Sequence, residues 1–347
     1  MSIRRLLPAL LALIALPLQA ASREVRIATA DPSVTLAGTL LLPDDAPAAP
    51  LAILITGSGN HVRDQVISGA PMFRQLAEGL LAAGIGSLRV DSRGSGESTG
   101  PKALDSAPMD RVADMRAVVR WARAEVPGAR LGLVGHSEGA SIAAELAAEP
   151  GVAWLVLLGA PARSGHEVWV EQQTAAVASA SQGDADLTAR GRALLEEAAQ
   201  AAIGGAGRET LEGIGLRLFA LVGEDEASVR ESGDLDQFTS RMTDPWMRGF
   251  LAYDPAPALQ AIAVPALAVY GGLDTLTSPA QNAGRLVELM ARGRTRALAL
   301  HILPDEDHFF LRGDGLPPGT HRAGKMALSP VLVPLLAHWI HGTAPRP

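Results

Sequence analysis

From residue 51 onward the chain alternates two hydrophobic rhythms. Short, largely apolar runs stand at 51–55, 85–90, 131–134, 154–158, 266–270 and 297–303. Between them, 72–83, 109–126, 137–148 and 279–290 place apolar residues close to every 3.6 positions. Continuous apolar runs read as strands covered on both faces, and the 3.6 period reads as amphipathic helices. Their alternation predicts an α/β class protein: a mostly parallel central sheet flanked by helices, with right-handed crossovers. Ahead of this rhythm, 24–29 and 34–42 alternate apolar and polar residues across the turn signal Asp31-Pro32-Ser33 and predict an opening antiparallel pair.

The rhythm breaks over 161–257, which is rich in Ala, Glu, Gln and Arg and reads as several helices, though 215–222 has the look of a strand. This stretch is expected to be a helical cap insertion over the carboxyl edge of the sheet, where ligands of open α/β folds bind. The core is then expected in two pieces, 22–160 and 258–347. Residues 1–21 read as a signal peptide: Arg4 and Arg5, an apolar stretch from Leu6 to Leu18, and a small-residue end at Ala20-Ala21. Export to the periplasm or medium is expected, with an uncleaved anchor as the alternative. Removing Arg4 and Arg5 takes the formal charge from -7 to -9, and no later run is long enough to be a stable membrane span.

Charge and composition narrow the chemistry. A negative chain without a Lys/Arg run lacks the footprint that phosphate backbones require, so nucleic acid is not an expected partner. With no cysteine, disulfides, thiolate metal sites and a cysteine nucleophile are all excluded.

Gly135-His136-Ser137-Glu138-Gly139 directly follows the run 131–134 and opens a helical pattern. A G-x-S-x-G pentapeptide in that context places its serine on a sharp strand-to-helix turn, with helix N–H groups beside it. A serine hydroxyl needs a base, and the base an orienting acid. Asp274 follows the run 266–270 and His308 follows 297–303, each in a loop at a strand end. Ser137, Asp274 and His308 are therefore the candidate nucleophile, acid and base. His321 is the next choice of base, and Glu224-Asp225-Glu226 the competing acids. His136 is expected to pack or bond beside the serine, His301 to be structural, and Asp305, Glu306 and Asp307 to form a solvated loop face. Backbone N–H groups of Glu138 and of Ser58, with Gly59 as alternative, are the candidate oxyanion donors, because Thr56-Gly57-Ser58-Gly59 lets the backbone approach an acyl group. Gly57-x-Gly59 is no dinucleotide fingerprint, since Val62 stands where the third glycine belongs. In Asp91-Ser92-Arg93-Gly94-Ser95-Gly96-Glu97-Ser98 the Asp and Arg are expected to clamp each other. Gly57, Gly59, Trp169 and Trp246 are candidate substrate contacts, the two tryptophans equally readable as cap packing.

The nucleophile pentapeptide, the D-x-R-G-x-G-x-S loop and the late Asp and His loops together resemble the α/β-hydrolase superfamily. Gly57-Ser58-Gly59 with Arg63-Asp64, Gly159-Ala160-Pro161 and Tyr253-Asp254-Pro255-Ala256 look like a group of bacterial capped serine esterases. The resemblance implies an α/β-hydrolase fold with a helical cap, and hydrolysis of a small carboxylic ester through an acyl-enzyme. It implies Ser137 as nucleophile, Asp274 as acid, His308 as base, Ser58 and Glu138 as oxyanion donors, and no cofactor. Two departures stand out: Thr275-Leu276-Thr277 where members often have a polar residue, an aliphatic one and proline, and Thr56-Gly57 where the wider superfamily often has His-Gly. The alternatives are a peptidase or amidase with the same three residues, and a noncatalytic binding protein on this scaffold.

Overall fold

The computed structural model describes residues 21–44, 49–295, 297–312 and 326–343. The expected signal peptide, Ala21 apart, and His321 lie outside them. The main sheet contains β1 (Ala21–Ala28), β2 (Thr35–Leu42), β3 (Pro50–Ile55), β6 (Gly86–Val90), β7 (Arg130–His136), β8 (Val152–Leu158), β9 (Ala266–Gly271) and β10 (Leu298–Leu303). Two small ribbons pair β4 (Val66–Ile67) with β5 (Ala70–Pro71) and β11 (Leu311–Arg312) with β12 (Ala327–Leu328). The eight strands run in the order β1-β2-β6-β3-β7-β8-β9-β10. The β1–β2 and β2–β6 pairs are antiparallel and the rest parallel. The carboxyl ends of β3, β7, β8, β9 and β10 therefore share one rim.

The central strands lack polar alternation because both their faces are covered, and the two-residue pleat period assigns neighbours to opposite cores. Ile53, Leu133 and Leu155 meet α2 (Pro108–Glu125), α3 (Glu138–Glu145) and α11 (Pro279–Ala291) through Val118, Ile142 and Leu286. Leu54, Val134 and Val156 meet α1 (Met72–Ala82) and α12 (Leu332–Gly342) through Phe73, Leu76 and Leu336.

Between β8 and β9 come α4 (Gly165–Ala180), α5 (Ala185–Ile203), α6 (Arg208–Leu221), α7 (Glu226–Glu231), α8 (Asp234–Thr243), α9 (Pro245–Ala252) and α10 (Ala256–Ala261). Apart from α7 and α10, each contributes to a third apolar cluster around Trp169, Leu195, Leu211 and Trp246. The strand-like stretch 215–222 is helical up to Leu221. Leu211, Ile214, Gly215 and Leu218 share one face of α6 at helical spacing, and packing of that face decides the conformation. His301 also departs from expectation: β10 is an edge strand, and the residue is exposed there rather than structural.

Candidate active site

β7 ends at His136 and α3 starts at Glu138, leaving Ser137 alone in the turn at φ 57° and ψ −123°. A left-handed φ on a residue with a Cβ is strained by about 1–3 kcal/mol, so its surroundings must hold it. The Ser137 N–H donates to the Leu158 carbonyl at 2.8 Å, and the Ala140 N–H donates back to Ser137 O at 2.9 Å. A Cβ on Gly135 would lie 2.1 Å from the Gly139 carbonyl oxygen, and one on Gly139 would lie 2.2 Å from that of Ile55. Only glycine lets α3 start this close to β3 and β7.

Asp274 and His308, 34 residues apart, meet at the ends of β9 and β10, with Nδ1 to Oδ2 at 2.8 Å. The Asp274 side chain is fully buried and that of His308 nearly so. Asp274 Oδ1 accepts the N–H groups of Leu276 and Thr277, both at 2.8 Å, and Oδ2 also accepts the Thr277 hydroxyl at 2.8 Å. Burial pushes the Asp274 carboxyl up, but the bond and charge of His308 and the Thr277 donors outweigh it and hold it below the ordinary carboxylate range. The competing acids do not enter: Glu224, Asp225 and Glu226 are exposed, and Asp225 caps α7.

His136 supports this arrangement from behind. Gly57 N–H donates to Gln65 Oε1 (3.2 Å), and Gln65 Nε2 lies 2.7 Å from His136 Nδ1. His136 Nε2 lies 2.8 Å from the His308 carbonyl oxygen. An amide N–H can only donate and a carbonyl only accept, so the His136 ring carries its proton on Nε2. Burial, followed by the neighbouring His308, pushes its pKa down to about 3 and keeps it neutral.

A cavity of about 410 Å³ lies over this rim, and Ser137, His308, Gly57, Ser58 and Glu138 all line it. Trp169 from α4 and Trp246 from α9 line it as well, while also packing in the third cluster. Gly59 is outside the lining; it turns at φ +121°, where a Cβ would lie 3.1 Å from the His61 ring. Gly57 is pressed on the elbow, since a Cβ there would sit 3.3 Å from Ser137 Cβ. Its N–H is taken by Gln65, while Ser58 beside it also lines the cavity. The Glu138 carboxylate is buried, ion-paired with Arg111 at 2.8 Å and accepting the Trp246 indole N–H at 3.2 Å.

Two local expectations are corrected. Asp91 does not clamp Arg93: it accepts from the backbone N–H and guanidinium of Arg63, while Arg93 is held by Asp114. The first pair ties the loop after β3 to the loop after β6, and the second ties that loop to α2. Of the acidic run, only Asp305 is exposed. Glu306 is buried because Arg312 of β11 and Ser329, just after β12, both bond its carboxylate, and Asp307 Oδ1 accepts the Phe309 N–H at 2.9 Å. Gln65, Arg111 and Thr277 were not singled out as site residues in the sequence. Only Thr277 left a signal there, as the departure three residues after the acid.

Among the described residues, no group of three or more His, Asp or Glu side chains is placed to hold a metal ion, and no helix is long and apolar enough to cross a membrane.

The chain is 23% identical over 305 residues to the Esterase EstD of Thermotoga maritima, covering 88% of this chain and 65% of that protein's length. Among solved structures, it is similar to the esterase Pf2001 of Pyrococcus furiosus, with a TM-score of 0.53 at 17% identity over 84% of each chain. It is also similar to Est1E of Butyrivibrio proteoclasticus, solved with ferulic acid bound, with a TM-score of 0.53 at 15% identity over 93% of this chain and 100% of that one. Residues 53–311 match the family model described as the alpha/beta hydrolase fold, and the chain belongs to that family.

Proposed function

We propose that the protein is an exported serine hydrolase that cleaves small carboxylic esters, with residues 161–257 acting as the cap over its acyl pocket. The observation that carries this reading is the 2.8 Å bond between His308 Nδ1 and Asp274 Oδ2, with both Ser137 and His308 on one cavity. Ser137 Oγ attacks the acyl carbon while His308 takes its proton, and the imidazolium so formed is stabilised by Asp274. The carbonyl electrons move to oxygen, where the N–H groups of Ser58 and Glu138 receive the charge. Collapse expels the alcohol, which takes the proton from His308. Water then cleaves the acyl-enzyme by the same route. The signal-like sequence of Arg4 and Arg5 followed by the apolar stretch from Leu6 to Leu18, and the esterase names of similar proteins, support the exported-esterase reading.

The test is turnover of p-nitrophenyl acetate and butyrate by the wild type and Ser137→Ala. The variant is expected to lose roughly 10⁴-fold or more in kcat while keeping its thermal transition. Turnover that survives the substitution contradicts the proposal.

A further inference from the structure

The hydroxyl of Thr277 sits where three strand-end loops converge. Its Oγ1 is 2.8 Å from Asp274 Oδ2 in the loop after β9, 3.0 Å from the Gly159 carbonyl oxygen after β8, and 3.2 Å from His308 Nδ1 after β10. The residue is buried and lines the cavity. Gly159 makes room for this meeting: at φ +55°, a Cβ there would stand 3.3 Å from both the His308 ring and Thr277 Oγ1.

A hydroxyl has one proton and can accept as well. The charged Asp274 carboxylate at 2.8 Å is a stronger acceptor than the Gly159 carbonyl at 3.0 Å, so the proton goes to Oδ2, and the lone pairs face the Nδ1–H that His308 directs at Asp274. The backbone N–H of Thr277 meanwhile donates to the other oxygen, Oδ1. Thr277 thus holds the carboxylate at both oxygens, and a proline at this position would supply neither donor.

We propose that Thr277 is a positioning residue of the acid–base pair, locking the Asp274 carboxylate plane and keeping the His308 Nδ1 proton directed at Oδ2. The inference rests on the reading of Ser137, His308 and Asp274 as the reacting group, and it makes the hydroxyl itself the determinant rather than the space it fills.

Thr277→Val keeps the shape and the backbone N–H but removes the hydroxyl; Thr277→Ser keeps the hydroxyl. With a p-nitrophenyl ester, Thr277→Val is expected to lower kcat about tenfold with KM within about twofold, and Thr277→Ser to stay within about threefold of wild-type kcat. A second measurement needs no turnover: the downfield imidazole Nδ1–H proton resonance of His308 is expected to be sharp in the wild type and Thr277→Ser, and broadened by solvent exchange in Thr277→Val. Wild-type kcat in Thr277→Val, equal losses in the valine and serine variants, or an unchanged Nδ1–H resonance would overturn the inference while leaving the esterase reading intact. Unaltered turnover in Ser137→Ala would overturn both.

Discussion

At the scale of single residues, two buried titratable groups give the protein a defined response to acid. His136 has its folded pKa pushed well below the ordinary histidine value of about 6.5, so protons bind the unfolded chain more readily. Its contribution to stability is full above pH of about 6.5 and falls as pH drops below that, by up to about 1.4 kcal/mol per pH unit. Urea denaturation between pH 7.5 and 4.5 is expected to show this slope in the wild type and a shallower one in His136→Gln; parallel slopes would contradict a buried neutral imidazole. Asp274 acts lower on the scale. Its folded pKa is depressed, so its contribution is present above the unfolded value of about 4 and is lost as pH falls through the folded one. Relative to Asp274→Asn, the wild type is expected to lose stability only below pH of about 4, read from the same denaturation series.

The helix and strand scale is where sequence was most informative and also where it stopped. Apolar runs between helical patterns located all six parallel strands within a few residues, and the pentapeptide marked the junction where β7 turns into α3. Side-chain pairings across the sheet were not legible. Arg63 and Asp91 lie 28 positions apart and meet only because β3 and β6 are adjacent and parallel, which no local spacing encodes. Burial of Glu306 is not legible either, since its partner Ser329 stands 23 positions further on. The Arg111–Glu138–Trp246 contact joins α2, α3 and α9 in the same way. Removing one partner of a buried ion pair strands the other charge, at about 3–5 kcal/mol. Arg111→Met is expected to lose that much stability in urea, and Arg111→Met with Glu138→Gln to recover part of it. A double variant that loses the sum of what Arg111→Met and Glu138→Gln lose singly would show that the pair is not coupled.

On the scale of the whole molecule, the sheet supplies the rim and the helices between β8 and β9 supply much of the cavity wall. The break in rhythm marks where those helices enter the chain, though the strand-like 215–222 shows its limit: a short apolar run is settled only by what it packs against. A cavity of about 410 Å³ lies toward the small end for ligand sites. Trp169→Leu enlarges it, and the acyl length giving the highest kcat/KM across a p-nitrophenyl series is expected to move to longer chains. An unchanged profile would place the acyl group elsewhere. Matched ester and anilide substrates separate esterase from amidase, with faster ester cleavage expected. The central claim, that Ser137 is the nucleophile made reactive by His308, is tested most directly by a fluorophosphonate probe followed by mass spectrometry. One adduct on Ser137, formed in the wild type and slowed by at least about 100-fold in His308→Ala, is the predicted result. An adduct on another residue, or equal labelling without His308, would contradict it.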